Sequence, residues 1–306
     1  MKRGESGINA LIAIDKPLDI TSHDVVDRVR RIVGERRVGH CGTLDPAASG
    51  VLLVGVGSAT RLSPYLTGHD KTYEGRVAFG FSTDTDDADG RVLETAPVPD
   101  LLSDPAFAAS FVEGLVGSHT QVPPAFCAIK RNGVTAYRAA REGEALELDP
   151  RAFSIERARL TGIDVDTTEG EVVWQVELSV SKGTYIRAIA RDLGEALDTR
   201  AHLSGLRRLR SGRVGIEDAV DLEELEQRGV DAVCINPVTA LGLPAVNLEE
   251  GDILPVYQGR TIDAGSHVDE GLCCLVYQNR LVSIHECVAG SLRPRTVFSG
   301  GVAGVC

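Results

Sequence analysis

Between residues 8 and 57 the chain places two apolar runs, "INALIAIDKP" (8–17) and "GVLLVGVG" (50–57), on either side of one helical pattern and one glycine-rich loop. The first run reads as a strand closed by Pro17, and the second as a buried strand, because its apolar positions do not alternate with polar ones. Between them, "TSHDVVDRVRRIVG" (21–34) spaces Val25, Val26, Val29, Ile32 and Val33 for one helix face. Thr21 or Ser22 supplies its N-cap and Gly34 its stop. Arg28, Arg30 and Arg31 fall away from that apolar stripe. A strand, a helix, a loop and a buried strand in fifty residues commit the N-terminus to a sheet with a helix packed on it.

The rest of the chain keeps mixing elements without a regular period. "SATRLSPYL" (58–66) reads as a short capped helix interrupted near Pro64, and "KTYEGRVAFG" (71–80) as a strand. "STDTDDADG" (82–90) is an acidic loop, and "DPAFAASFVEGLVG" (104–117) a helix with a glycine stop. Residues 123–144 read as strand, a turn at Asn132-Gly133, then helix. Two period-2 segments, 153–165 and 171–181, pair as strands, and "GTYIRAIARDLGEAL" (183–197) is an amphipathic helix. Irregular alternation of this kind favours a mixed α+β sheet over a doubly wound parallel one. After a proline-punctuated stretch near 236–250, short runs such as "GLCCLVYQ" and "RLVSIHECV" read as a small all-β domain. Two domains are expected, over 1–245 and 246–306.

Composition narrows the class of function. With 43% hydrophobic and 25% charged residues, the chain of 306 residues is that of a folded globular protein. The apolar run at the N-terminus is short and broken by Asp15 and Lys16, so it reads as neither a signal peptide nor a membrane helix, and a cytoplasmic location is expected. The seven cysteines are odd in number and form no C-x-x-C pair, which indicates neither a disulfide framework nor a zinc site. The histidines, at 23, 40, 69, 119, 202, 267 and 285, form no H-x-x-x-H pair. The acidic loop fails as a calcium loop: aligned on Gly90, its first position is Thr85 and its twelfth Ala96, so a solvated acidic turn is expected. A net charge of −12 argues against a nucleic-acid partner. Locally the opposite holds, for "DRVRRIVGERRVGH" (27–40) and "LRRLRSGR" (206–213) are arginine-rich and suit a basic groove on an acidic body.

One acid then stands out. Asp45 lies in "RVGHCGTLDPAASGVLLVG" (37–55), among small and glycine residues with no second acid beside it. An ionised carboxylate at the end of a strand serves as nucleophile or base, and an aspartate in a tight turn also serves simply to cap that turn. The residues of the loop alone leave both readings open.

Other segments weigh on that choice. "GHCGTLDPAASGVLL", "KTYEGRVAFGFSTDTDDADG", "PPAFCAIKRNGVTAYRAAREG", "SKGTYIRAIARDLG" and "LRRLRSG", in this order, strongly resemble the TruB family of tRNA pseudouridine synthases, from about Ile8 to about Leu243. The resemblance implies the family's mixed, mostly antiparallel sheet flanked by helices, with a small PUA-like β domain at the C-terminus. It implies an isomerase that acts on the uridine at position 55, in the TΨC loop of tRNA, without metal or cofactor, as a monomer with no membrane association. A second reading, an RNA-folding or RNA-binding protein in which catalysis is secondary, rests on the same motifs.

The resemblance also assigns residues. Asp45 matches the catalytic aspartate, Tyr73 the tyrosine that stacks on the flipped uracil, and Arg187 the arginine that pairs with the catalytic carboxylate. Tyr185 and Leu206 match pocket walls, His40 a residue that fills the space left by the flipped base, and Lys16 a lysine near the site with a structural role. Cys41 departs from the pattern, standing where Thr or another small residue is expected.

Overall fold

The structure is a computed structural model that describes residues 6–131, 133–166, 171–264 and 269–305. Asn132, His267 and Cys306, named above, lie outside the described residues. In chain order, β1 (Ala10–Lys16), α1 (Ser22–Val33), β2 (Val38–His40) and β3 (Ala48–Val56) are followed by a 3₁₀ segment at Gly57–Leu62 and α2 (Ser63–Leu66). Next come β4 (Lys71–Phe79), β5 (Phe81–Thr83), β6 (Val92–Thr95), α3 (Pro105–Glu113), β7 (Gly117–Gln121), β8 (Lys130–Arg131), β9 (Val134–Thr135) and α4 (Ala136–Arg141). β10 (Arg151–Asp166), β11 (Glu171–Val180), α5 (Ile186–Ala196) and β12 (Ala201–Ser211) complete the middle of the chain. The remainder holds β13 (Val214–Gly215), α6 (Leu222–Arg228), α7 (Val230–Val233), β14 (Cys234–Ile235), α8 (Pro237–Leu241), β15 (Ala245–Asn247), α9 (Glu250–Tyr257) and β16 (Ile262–Asp263). It ends with β17 (Gly271–Tyr277), β18 (Arg280–Val288) and β19 (Ser291–Val302).

Two compact bodies result, one from the residues up to His69 and from Arg210 onward, the other from Asp70–Leu209. In the first body β1 pairs antiparallel with β3 and β14, and β2 adds to β3. The unbroken apolar runs of β1 and β3 are explained by cover on both faces. On one, Ile12, Ile14, Leu52 and Val54 meet Val25, Val26, Val29 and Val33 of α1 together with Leu225, Val230 and Val233. On the other, Leu11, Ala13, Val51 and Leu53 meet Ala59, Leu62 and Leu66, and with them Cys274, Leu281, Ile284, Phe298 and Val302 of the C-terminal strands. Each fully buried Val, Leu or Ile contributes about 1.5–3 kcal/mol, so this double layer makes β1 and β3 a rigid base.

α1 starts and stops where the sequence places it. Thr21 Oγ1 accepts from Asp24 N–H while Asp24 Oδ2 accepts from Thr21 N–H, a reciprocal capping box, and Gly34 closes the helix at φ 62°. The short helix expected over 58–66 is instead a 3₁₀ turn that passes into α2, with Pro64 in the first turn of α2, where its missing N–H costs nothing. The C-terminal strands form a separate five-stranded sheet in the order β15-β17-β18-β19-β16, antiparallel except for β15 on β17. Its alternation explains the adjacent cysteines: Cys274 joins the core shared with β1 and β3, and Cys273 faces a second cluster with Val256, Leu275 and Leu292.

In the second body the strand order is β12-β4-β11-β10-β7. The pairing expected between residues 153–165 and 171–181 is the antiparallel β10–β11 ladder, and β4 runs antiparallel to β11 with Tyr73 opposite Leu178. Trp174 anchors this body: fully buried, it donates from Nε1 to Leu102 O at 2.8 Å and meets Phe79 edge-on at 4.9 Å. The helix expected over 104–117 ends at Glu113, with Gly114 as its C-cap and Gly117, at φ 142°, already opening β7. The sheet is thus mixed, mostly antiparallel and flanked by helices, as the resemblance implied.

Candidate active site

Lys16, His40 and Asp45 belong to the first body, and Tyr73, Tyr185, Arg187 and Leu206 to the second. Asp45 is half-buried and opens a turn in which its carbonyl accepts from Ala48 N–H at 3.0 Å, leading directly into β3. Its neighbours on both sides are fixed. Ser22, buried at the first residue of α1, bonds through Oγ to both Leu44 O and Leu44 N–H, each at 2.9 Å. Pro46 O accepts from Asp19 N–H at 3.0 Å and from Lys16 Nζ at 3.3 Å.

Lys16 closes β1 with no exposed surface, and its ammonium also donates to Pro17 O at 2.8 Å and Ile20 O at 2.6 Å. Three donors meeting three carbonyls satisfy a buried cation without a carboxylate among these partners. The Lys16 ammonium thus ties the segment after β1 to the turn at Pro46. Cys41 N–H donates to Leu53 O at 2.8 Å, and burial pushes the Cys41 thiol up to about 11, so it is a buried apolar-like filler rather than a reactive thiolate. His40 ends β2, half-buried, in register with Val54.

In the second body, Tyr73 is buried on β4, and Gly75, two residues on, lies beneath α5. A Cβ at Gly75 would sit 3.6 Å from Ile186 Cγ2 and 3.5 Å from Leu203 Cδ1. The start of α5 is thereby seated on β4. The helix begins at Ile186 rather than at 183, so Tyr185 occupies its N-cap position, where its N–H donates to Gln121 Oε1 at 3.0 Å. Burial, then the neighbouring Cys127, push the Tyr185 phenol up to about 12, so it stays a neutral hydroxyl and not a base near neutral pH. Leu206 is half-buried on β12.

Arg187 is no surface residue: only 6% of it is exposed. Its Nη1 donates to Thr85 O and its Nη2 to Phe126 O, both at 2.9 Å, and Asp87 Oδ2 lies 3.5 Å from Nη1. The acidic loop is therefore not the solvated turn its composition suggests. Asp86 is buried and paired with Arg191 at 2.9 Å, and Asp87 with Arg187. Desolvated arginines demand carboxylates, and the loop supplies them. Asp86, Asp87 and Arg191 were missed by sequence reasoning. The available signal was the four-residue spacing of Arg187 and Arg191, one helical turn apart, on a helix with an otherwise apolar stripe.

The arginine-rich segments divide. Arg28 and Arg31 are exposed on α1, and Arg36 is exposed just beyond its end. In the second segment Arg208 is 1% exposed and Arg210 is paired with Glu217 at 2.8 Å, so "LRRLRSGR" is only in part a basic surface. Beside Arg208, Lys71 is pulled down to about 8, first by burial and then by that neighbouring charge.

Comparison with known proteins extends the sequence resemblance. Residues 30–186 match the TruB family pseudouridylate synthase N-terminal domain, and residues 187–235 the tRNA pseudouridylate synthase B C-terminal domain. A protein of Thermobifida fusca named tRNA pseudouridine synthase B is 41% identical over 95% of this chain and 99% of its own. One of the same name from Mycobacteroides abscessus is 42% identical over 82% of this chain and 84% of its own. Among solved structures, a chain of a Cbf5-Nop10-Gar1 complex superposes with a TM-score of 0.67 at 23% identity, covering 94% of this chain and 84% of that one. At that identity the likeness is one of fold.

Proposed function

The chain belongs to the TruB family of pseudouridylate synthases, and on that premise we propose that it isomerises the uridine at position 55 in the TΨC loop of tRNA, with Asp45 as the catalytic carboxylate. Relatives that match it over most of their length bear the name tRNA pseudouridine synthase B. The observation that carries the reading is the mounting of Asp45: a half-buried carboxylate in a turn whose flanking residues are held by a buried serine and a buried lysine. A residue that only capped its turn would need no such frame.

The reaction breaks the N1–C1′ glycosidic bond, turns the freed uracil and joins C5 to C1′, with the C5 proton lost and N1 left bearing hydrogen. It is redox-neutral and intramolecular, so a carboxylate, a binding pocket and a proton acceptor suffice. Asp45 either adds to the nucleotide or takes a proton from the ribose. Tyr73 stacks on the uracil, Tyr185 and Leu206 wall the base, and His40 fills the space that the flipped base leaves, offsetting part of a few kcal/mol of unstacking. Arg187 serves as the cation that keeps the catalytic carboxylate ionised. The C-terminal strands from about residue 246 act as a PUA-like RNA-binding domain, and the enzyme works as a cytoplasmic monomer.

Incubation with an unmodified tRNA transcript, followed by mapping of pseudouridine, tests the proposal. Wild type forms it at the TΨC-loop uridine, and Asp45→Asn lowers the rate by about a thousandfold or more. Product at another uridine overturns the choice of substrate site, and an active Asp45→Asn protein overturns the catalytic assignment.

A further inference from the structure

The proposed function uses Arg187 and leaves Arg191, one turn further along α5, without a role. The two arginines grip the same two segments on successive rungs. Arg187 holds Thr85 O, Asp87 and Phe126 O. Arg191 donates from Nη1 to Asp86 Oδ2 and from Nη2 to Val122 O, both at 2.9 Å, and its Nε and Nη2 reach Asp192 Oδ1 at 2.9 and 2.8 Å.

Asp86 adopts φ 61°, the left-handed region that non-glycine residues seldom occupy, and this bend lets adjacent carboxylates serve arginines one turn apart. Its carbonyl accepts from Leu203 N–H at 3.0 Å, and Ala88 N–H donates to Leu203 O at 3.2 Å, tying the bend to β12, the strand that carries Leu206. A cavity of about 280 Å³ lined by Ser82, Thr83, Asp86, Glu94, Arg191 and Arg200 adjoins the pair. The ion pair thus borders open space on this side.

From this geometry we propose that Arg191 and Asp86 are positioning residues for the pseudouridylation reaction: their ion pair fixes residues 85–87, and so sets how Arg187 is presented. The inference rests on the catalytic reading of Arg187. Burial raises the Asp86 carboxyl even against two arginines, so its charge is costly to hold there.

The test measures kcat and KM on unmodified tRNA transcript, with melting temperatures, for wild type, Arg191→Gln, Asp86→Asn, the double variant, Arg191→Lys and Arg187→Met. Each single change at the pair is expected to lower kcat about tenfold or more, with KM held within about twofold, because misplacing a catalytic group by a fraction of an ångström acts on turnover. The double variant should be no slower than the slower single one, the mark of a shared role. Arg191→Lys, which keeps the charge, should recover part of the loss.

Singles that keep kcat within about twofold, or losses that multiply in the double variant, overturn the proposal. So does a loss that follows only a lowered melting temperature and is absent below the transition. Arg187→Met separates the two readings: if it keeps full turnover, the catalytic assignment of Arg187 itself is wrong. If it alone is slow, that assignment stands and the positioning role of the pair falls.

Discussion

Two aspartate-bearing loops of this molecule are held in opposite ways. The loop at Asp45 is fixed through backbone carbonyls and amides: a serine hydroxyl on Leu44, a backbone amide on Pro46, and the Lys16 ammonium on the carbonyls of Pro17, Ile20 and Pro46. The loop at 84–90 is fixed by charge, Asp86 and Asp87 being answered by Arg191 and Arg187. In the second loop the carboxylates are structural currency between loop and helix. In the first, hydrogen bonds of Ser22, Asp19 and Lys16 to the backbone fix the residues on both sides of Asp45.

Changes to the frame of the Asp45 loop should have the largest effects. Lys16→Met removes a fully buried ammonium that joins the carbonyls of Pro17, Ile20 and Pro46, and should cost about 1–3 kcal/mol in chemical denaturation, with activity lost alongside. If the variant unfolds at the wild-type denaturant midpoint, the clamp is not what holds the Asp45 loop. Ser22→Ala removes the partner of both Leu44 N–H and Leu44 O and should cost about 1–3 kcal/mol. Its kcat should fall with little change in KM, since the loop loosens at the reacting carboxylate and not at the RNA-binding surface. A rise in KM alone would break the assignment of this frame to catalysis.

Much of the first loop was legible in the sequence, and much of the second was not. β1, α1 and β3 follow from local rules: an apolar run closed by Pro17, a capping Thr21, a stop at Gly34 and a second apolar run. Asp45 stood out because it lies among small and glycine residues with no second acid beside it. What the sequence hid was pairing at a distance, for Arg191 lies 105 residues from Asp86 and Arg187 lies 102 from Thr85. Composition described residues 82–90 as acidic, hence solvated, while burial on α5 reversed that reading. Arg208 repeats the lesson, an arginine in a basic-looking run that the fold buries. The end of α3 at Glu113 was missed for a different reason: two glycines follow, and Gly117, the second, belongs to β7, whose pairing with β10 local rules do not show.

Smaller effects sharpen the contrast within the acidic loop itself. Arg91 lies 3.0 Å from Asp84, but its side chain is 90% exposed, and the bonds of its backbone to Asp84 survive truncation. Arg91→Ala should therefore change stability by about 0.5 kcal/mol or less, and by less still at high salt. A larger loss would mean that surface charge, and not the buried pairs on α5, holds the loop.

Asp86→Asn should give the smallest change in stability of all, with a sign that depends on pH. Burial raises the Asp86 carboxyl, with Asp192 adding in the same direction, while Arg191 and Arg187 oppose it. A raised carboxyl means that the folded protein holds its proton at a pH where the unfolded chain has released it. Between the ordinary value of 3.8 and the raised one, the folded state binds more protons, so this group's contribution to stability falls as pH rises through that window and stays unfavourable above it. Asparagine removes that cost while keeping an oxygen for Arg191. The melting temperature of Asp86→Asn at pH 7 should accordingly match or exceed that of wild type, and the advantage should vanish below pH 4, where both side chains are neutral. A variant less stable at pH 7 than at pH 4, relative to wild type, would mean that the attraction of the two arginines outweighs desolvation, and the second loop would then be held by charge at a profit and not at a cost.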